Sequence, residues 1–255
     1  MEQQKPLSDL LNDCVGTEPT NSAIIASGGG TTAEVYMLGA KNGWIPGVDI
    51  RLLISTVEGA GCISKAKNCG VRTVTINRKS FGKNQDAFND EIAITLDALE
   101  IELVFLAGCN QFIRACPGIY FANNHPAPKE TDGGRGMHDI MLHEHVLMRI
   151  KDKISRYPHM INEVHRTCVD HHEAIPRDRS KRGMDIGEPL TTAWVDIPPY
   201  IISQFIEGIL DLRSAAKLLQ QHVMRYEYAS IISNAIMDGM RVRDAKKYGI
   251  DMGGF

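Results

Sequence analysis

Three residue sets have the types and spacing that acyl and proton chemistry needs. Asn123-Asn124-His125-Pro126 follows an apolar run, Ile119 to Ala122, that reads as a buried strand ending at Asn123. An Asn amide offers N–H donors to a developing oxyanion. An imidazole donates as a cation or shuttles a proton near neutral pH. On extended chain, positions i and i+2 point to the same side, so Asn123 and His125 can serve one centre. Pro126 and Pro128 stiffen the exit. The same residues could equally cap a strand and close a turn. Asp185, in Asp185-Ile186-Gly187-Glu188-Pro189, stands at a turn leading into the strand Leu190 to Val195, and could orient a His or a water. The third set, Gly28-Gly29-Gly30-Thr31-Thr32, lies between an apolar run and a helical segment. There, backbone N–H groups and a helix N-terminus receive anions. It is neither GxGxxG nor a P-loop, and a plain tight turn fits as well.

Histidines raise a metal alternative. His138, His143 and His145 gather with Glu144, and Asp170-His171-His172-Glu173 forms a second group. There is no HExxH, His143 and His145 diverge on a helix, and strand alternation separates His171 from His172. No metal is expected. The six cysteines, Cys14, Cys62, Cys69, Cys109, Cys116 and Cys168, include no CxxC pair, and they read as reduced thiols of a cytoplasmic protein. Arg177, Arg179, Lys181 and Arg182 read as a solvated loop, because Asp178 and Asp185 interrupt them and no aromatic residue is interleaved.

The elements that must position these residues alternate. Strands are expected at 23–26, 50–54, 71–76, 103–107 and 119–122, with helices after the Gly turn, at 60–69 and at 84–99. Continuous apolar strands alternating with helices indicate an α/β fold, a doubly wound and mostly parallel sheet flanked by helices. Further on come a loop (126–137), a His-rich helix (138–150), strands at 164–171 and 189–197, and helical periodicity from Ile209 to Met240, as two helices or one broken one. Residues 1–20 read as an extension before a single domain, 21–255. Its phosphate-binding half would be about 21–122 and its second half about 123–240.

Composition limits the partners. Of 255 residues, 43% are hydrophobic and 23% charged, which suits a soluble globular protein with a sizeable core. A net charge of −3 supplies no field toward nucleic acid or an anionic membrane. No apolar run approaches the roughly 20 residues that span a bilayer, and MEQQKPLSDL lacks the pattern of a secretory signal. Small molecules are the expected partners; a homodimer stays open.

In this order the motifs resemble the glycinamide ribonucleotide formyltransferase family, within the formyltransferase superfamily with its Rossmann-like fold. The likeness runs from about Ser22 to Met240. It rests on Ser27-Gly28-Gly29-Gly30-Thr31 (family SG-x-G-[ST]), Leu106-Ala107-Gly108, Asn123-Asn124-His125-Pro126 (N-x-H-P), Gly133-Gly134-Arg135-Gly136-Met137, the D-x-G-x-P at Asp185, and Gln221-His222 on the late helix. The resemblance implies formyl transfer from 10-formyltetrahydrofolate to the amine of glycinamide ribonucleotide in purine biosynthesis. Asn123, His125 and Asp185 would be catalytic. Gly28, Gly29, Gly30, Thr31 and Thr32 would hold the substrate phosphate, Cys109, Asn110, Gln111, Phe112 and Ile113 the folate, and Gln221 the acceptor. Gln111 and Gln221 depart from the family's usual Arg and Glu. Another amine, such as an amino sugar on a nucleotide, is therefore the next acceptor to consider. After it come a formyl-tetrahydrofolate hydrolase, a non-catalytic nucleotide- or folate-binding protein and a metal-dependent hydrolase.

Overall fold

Short apolar runs define the centre of the sheet. Ala23 to Ala26, Leu52 to Ile54 and Leu103 to Phe105 are without solvent exposure, as strands covered on both faces must be. A computed structural model of the chain describes residues 18–133, 137–162, 166–174 and 186–249. Residues 1–17, the glycines 134 and 136 with Arg135, Asp185, the basic residues between 177 and 182 and residues 251–255 lie outside the described residues.

Strand β1 (Thr20–Ala26) leads through the Gly turn to α1 (Thr31–Lys41), then β2 (Val48–Ser55), α2 (Gly61–Cys69), β3 (Arg72–Thr75), α3 (Gln85–Asp97) and β4 (Leu103–Leu106). Then come β5 (Tyr120–His125), α4 (Lys129–Asp132), α5 (Asp139–Arg156), β6 (Arg166–Ala174), β7 (Ile186–Asp196), α6 (Pro199–Ile206) and α7 (Leu212–Tyr248). Seven strands form one sheet in the order β3-β2-β1-β4-β5-β6-β7. The pairs β1–β2, β2–β3, β1–β4 and β4–β5 are parallel. The order reverses between β1 and β4, which makes the ends of these two strands the switch point of a doubly wound sheet.

The chain packs as two compact units. The first comprises residues 18–123, 173–174 and 231–249. Its core joins Ile25, Leu52, Ile54, Val104 and Phe121 of the strands to Phe88, Ile92 and Leu96, spaced four apart along α3. Asn84 caps α3, its side chain accepting from the Ala87 N–H. The second unit comprises residues 124–172 and 186–230. Leu142, Val146, Leu147 and Ile150 of α5 pack there with Val169, Val195, Ile201, Leu219 and Val223.

The elements depart from the sequence reading in four places. Strand β5 continues past Ala122 and includes both Asn123 and His125. The stretch 126–137 contains a helical turn, α4, rather than loop alone. Helix α6 was not anticipated, although Pro198 and Pro199 before Ile201, Ile202 and Phe205 are a helix-start pattern. The late helical region is one helix of 37 residues. Its buried Ala215, Leu219, Val223, Glu227, Ile231 and Ala235 repeat every four residues without a break. Gly239 interrupts nothing, since it admits the Val48 side chain, whose Cγ2 would lie 2.9 Å from an added Cβ.

Candidate active site

In the first unit, the turn after β1 is shaped by contact with α2. Gly30 adopts φ 74°, and a Cβ there would fall 2.5 Å from the Cys62 Cα, so only glycine fits. Gly28 and Gly29 differ, with nothing within 4 Å of an added Cβ. The Cys62 N–H donates to the Gly28 carbonyl at 3.1 Å. Thr31 and Thr32 open α1, where backbone N–H groups have no partner within the helix. Lys65 of α2, which the sequence reading did not single out, lies 3.5 Å from the Thr31 hydroxyl and 2.7 Å from Glu34.

The segment after β4 comes to the same turn. Ser27 Oγ accepts from the Asn110 N–H at 3.0 Å and contacts Cys109 Sγ at 3.8 Å. The Ser27 N–H donates to the Gly108 carbonyl. Gly28–Thr32 and Cys109–Asn110 are thus neighbours at the sheet's switch point. Burial pushes the Cys109 thiol up to about 11, so it stays protonated and is no nucleophile. Gln111 and Phe112 are half-buried, and the Phe112 carbonyl accepts from Gln85 Nε2 at 2.9 Å. Ile113 is buried among the core residues, so its side chain serves packing.

In the second unit, strand alternation sorts the polar residues. His125 is buried, and its ring lies 6.3 Å from that of His172. Asn124 points the other way, its Oδ1 accepting from His171 Nδ1 at 3.2 Å. The expected separation of His171 from His172 therefore holds, with His171 holding β5 to β6. His125 Nε2 donates to the Asp132 carbonyl at 3.2 Å, since a carbonyl can only accept. Neutral His125 is then the Nε2–H tautomer, and Nδ1 is the atom that takes up and releases the proton.

Helix α4 is held at both ends. At its start the Lys129 N–H donates to Asp170 Oδ2 at 3.2 Å. Asp170 is buried, and its Oδ1 also accepts from Thr192 Oγ1 at 2.8 Å and from Cys168 Sγ at 3.2 Å. At its end, the fully buried Asp132 carboxylate pairs with Arg149 of α5 at 2.8 and 3.2 Å. It also accepts from the Thr131 hydroxyl at 2.8 Å, and His145 Nε2 lies 3.5 Å away. Neither Asp132 nor Arg149 is visible as a pair in sequence, being 17 positions apart on different elements.

Burial depresses His125, opposed by the bond to Asp132 and by the charges of Asp170, Asp132 and Glu130. His143 of α5 is buried too. Burial, with charge on nearby His125, lowers it to about 4, and its Nδ1 has no hydrogen-bond partner among the described residues. His138, His143 and His145 do not gather, in keeping with the divergence of His143 from His145 expected on a helix. His138 is exposed against Asp139, His145 turns to Asp132, and His143 enters the core. Among the described residues no three His, Cys, Asp or Glu side chains converge on a metal position. The five described cysteines are free thiols. No described helix is long and apolar enough to cross a membrane.

No protein-family model matches the chain. Solved structures do. Phosphoribosylglycinamide formyltransferase from Brucella melitensis superposes with a TM-score of 0.58 at 19% identity, over 86% of this chain and 96% of that one. Glycinamide ribonucleotide transformylase 1 from Symbiobacterium toebii gives 0.56 at 19% identity, over 85% and 88%. The enzyme of that name from Geobacillus kaustophilus gives 0.53 at 23%, over 79% and 100%. The chain has the phosphoribosylglycinamide formyltransferase fold. On this formyltransferase fold, Asn123 and His125 lie at the C-terminal end of β5, and Gly28–Thr32 joins β1 to α1. Gln221 lies exposed on α7, beside His222, whose Nε2 meets the Asp196 carbonyl at 3.0 Å.

Proposed function

We propose that the chain transfers a formyl group from 10-formyltetrahydrofolate to the amine of glycinamide ribonucleotide, as a step of purine synthesis in the cytoplasm. The observation that carries this reading is His125: a buried imidazole on β5, two residues after Asn123, with Nε2 committed to the Asp132 carbonyl. A His held in one tautomer can present a single titrating nitrogen to a reaction.

The amine attacks the formyl carbon, and the carbonyl oxygen becomes an oxyanion. The Asn123 amide N–H and a protonated His125 Nδ1 donate to that oxygen. The attacking nitrogen loses its proton, N10 of the folate takes one up, and the C–N bond to the folate breaks. Asp185 would order the water that relays this proton or hold His125 charged. The Gly28–Thr32 turn would receive the acceptor's phosphate, with Lys65 adding a cation at its edge. Cys109 to Ile113 would contribute to the folate side, mainly through backbone groups and the side chains of Asn110 and Gln111.

A second acceptor, an amino sugar on a nucleotide, is favoured by one observation. Gln221 is uncharged and exposed where the resembled family uses a carboxylate. The deciding assay supplies 10-formyltetrahydrofolate with each acceptor and follows release of tetrahydrofolate. Turnover with glycinamide ribonucleotide that vanishes in His125→Ala supports the reading. Folate binding without that turnover would shift the acceptor, and no folate binding would leave a repurposed fold.

A further inference from the structure

We propose that Asp132 and Arg149 are positioning residues for His125: their ion pair holds α4 so that the Asp132 carbonyl keeps His125 in a single, Nε2-protonated orientation. The inference rests on the proposed role of His125, but its geometry stands within the second unit alone. Four facts support it. The Asp132 carboxylate is fully buried, so its charge must be compensated locally. Arg149 compensates it through a two-pronged contact, at 2.8 and 3.2 Å. Thr131 and His145 complete its surroundings. The backbone of the same residue is the one that binds His125.

The short helix cannot hold this position by itself. It is four residues long, too short to be stable alone. Its end packs tightly, since a Cβ on Gly133 would sit 2.3 Å from the Lys129 carbonyl oxygen. Asp170 fixes the N-terminal end through the Lys129 N–H, and the Arg149 pair fixes the C-terminal end. A buried ion pair kept only for stability could be replaced, both partners together, by well-packed apolar residues at little cost. Here the Asp132 backbone oxygen lies 3.2 Å from the proposed catalytic imidazole, so holding its place also holds the tautomer.

Among the described residues, the groups facing His125 are Asp132 and Glu130 of α4, Asp170 and His172 of β6, and His143 of α5. Arg149 and His145 act on it through Asp132. Two consequences differ. Loss of the ion pair frees the carbonyl, so the His125 Nε2–H proton exchanges faster, by about fivefold to tenfold for one ordinary hydrogen bond. Loss of the Asp132 charge alone removes a contribution that raises His125, so its titration moves to lower pH.

The test is nitrogen-15 NMR of the His125 ring in the full chain without ligands, for wild type, Arg149→Met, Arg149→Lys and Asp132→Asn. Expected are a protected Nε2–H in wild type, faster exchange in Arg149→Met and intermediate exchange in Arg149→Lys. Asp132→Asn should lower the His125 midpoint. If Arg149→Met does not fold, Arg149→Lys and Asp132→Asn carry the test. A merely structural pair would lower thermal stability and leave the Nε2–H exchange at the wild-type rate in all three variants, which overturns the proposal, whereas the Asp132→Asn midpoint reads the charge alone. No substrate is needed, so the two readings separate. A chain without formyl transfer but with these shifts keeps the positioning and loses the reaction. A chain with the reaction and no shifts does the reverse.

Discussion

At the scale of single residues, the candidate chemistry turns on how β5 orients its last side chains. Alternation puts Asn124 against His171 and leaves His125 near His172. His125→Ala should lower kcat by about 10²- to 10⁴-fold, the usual share of a positioned acid–base group. Asn123→Ala should cost about 10²- to 10³-fold, as for one oxyanion donor. Circular dichroism should show both variants folded, and wild-type turnover in either would remove the assignment. Asp185→Ala should also lose most activity while keeping its fold. N-x-H-P was legible in the sequence because its spacing matches a strand face. Asp132, Arg149 and Asp170 were not, because a charged residue announces a partner in sequence only when that partner is local. The burial of His143 was not legible for a related reason. Its burial depends on α5 turning this face to the core.

At the scale of elements, the Gly turn separates fold from binding. Gly30→Ala places a methyl group against the Cys62 backbone at a left-handed position. It should destabilise the chain by about 1–3 kcal/mol, read as a lower denaturation midpoint. Gly29→Val has open space for its side chain, so stability should change little. It should instead raise KM for a phosphate-bearing acceptor by obstructing backbone approach. An unchanged KM would argue that no phosphate sits there. The strands and the helices of the first unit were readable from periodicity and caps. The late helical region was expected as two helices or one broken one, yet the four-residue buried repeat of α7 runs on to Gly239, which meets β2.

At the scale of the whole molecule, buried ionisable groups make stability depend on pH in two opposed ways. His143 falls from 6.5 to about 4 on folding. The unfolded chain therefore binds more protons between these values, and His143's contribution, full above pH 6.5, is lost as pH falls through about 4. His125 is depressed as well and acts in the same sense. Glu227, buried on α7, rises from 4.5 to about 7. Its contribution is complete below pH 4.5 and lost as pH rises through about 7. Glu227→Gln should therefore raise the thermal midpoint at pH 8 relative to wild type, with the advantage fading toward pH 4. An equal shift at both pH values would mean that folding does not raise Glu227.

The sequence by itself determined the α/β class, the Gly turn, the strand order of appearance and the Asn123–His125 pair, because period-two and period-3.6 patterns are local properties of the chain. Only the tertiary structure decided which polar residues meet. Sheet order brings β6 beside β5, so that Asp170 caps α4 and His172 faces His125. Packing of α5 delivers Arg149 to Asp132, and with it the tautomer of the histidine. Such contacts join residues far apart along the chain, and their cost or gain depends on burial that no local pattern specifies.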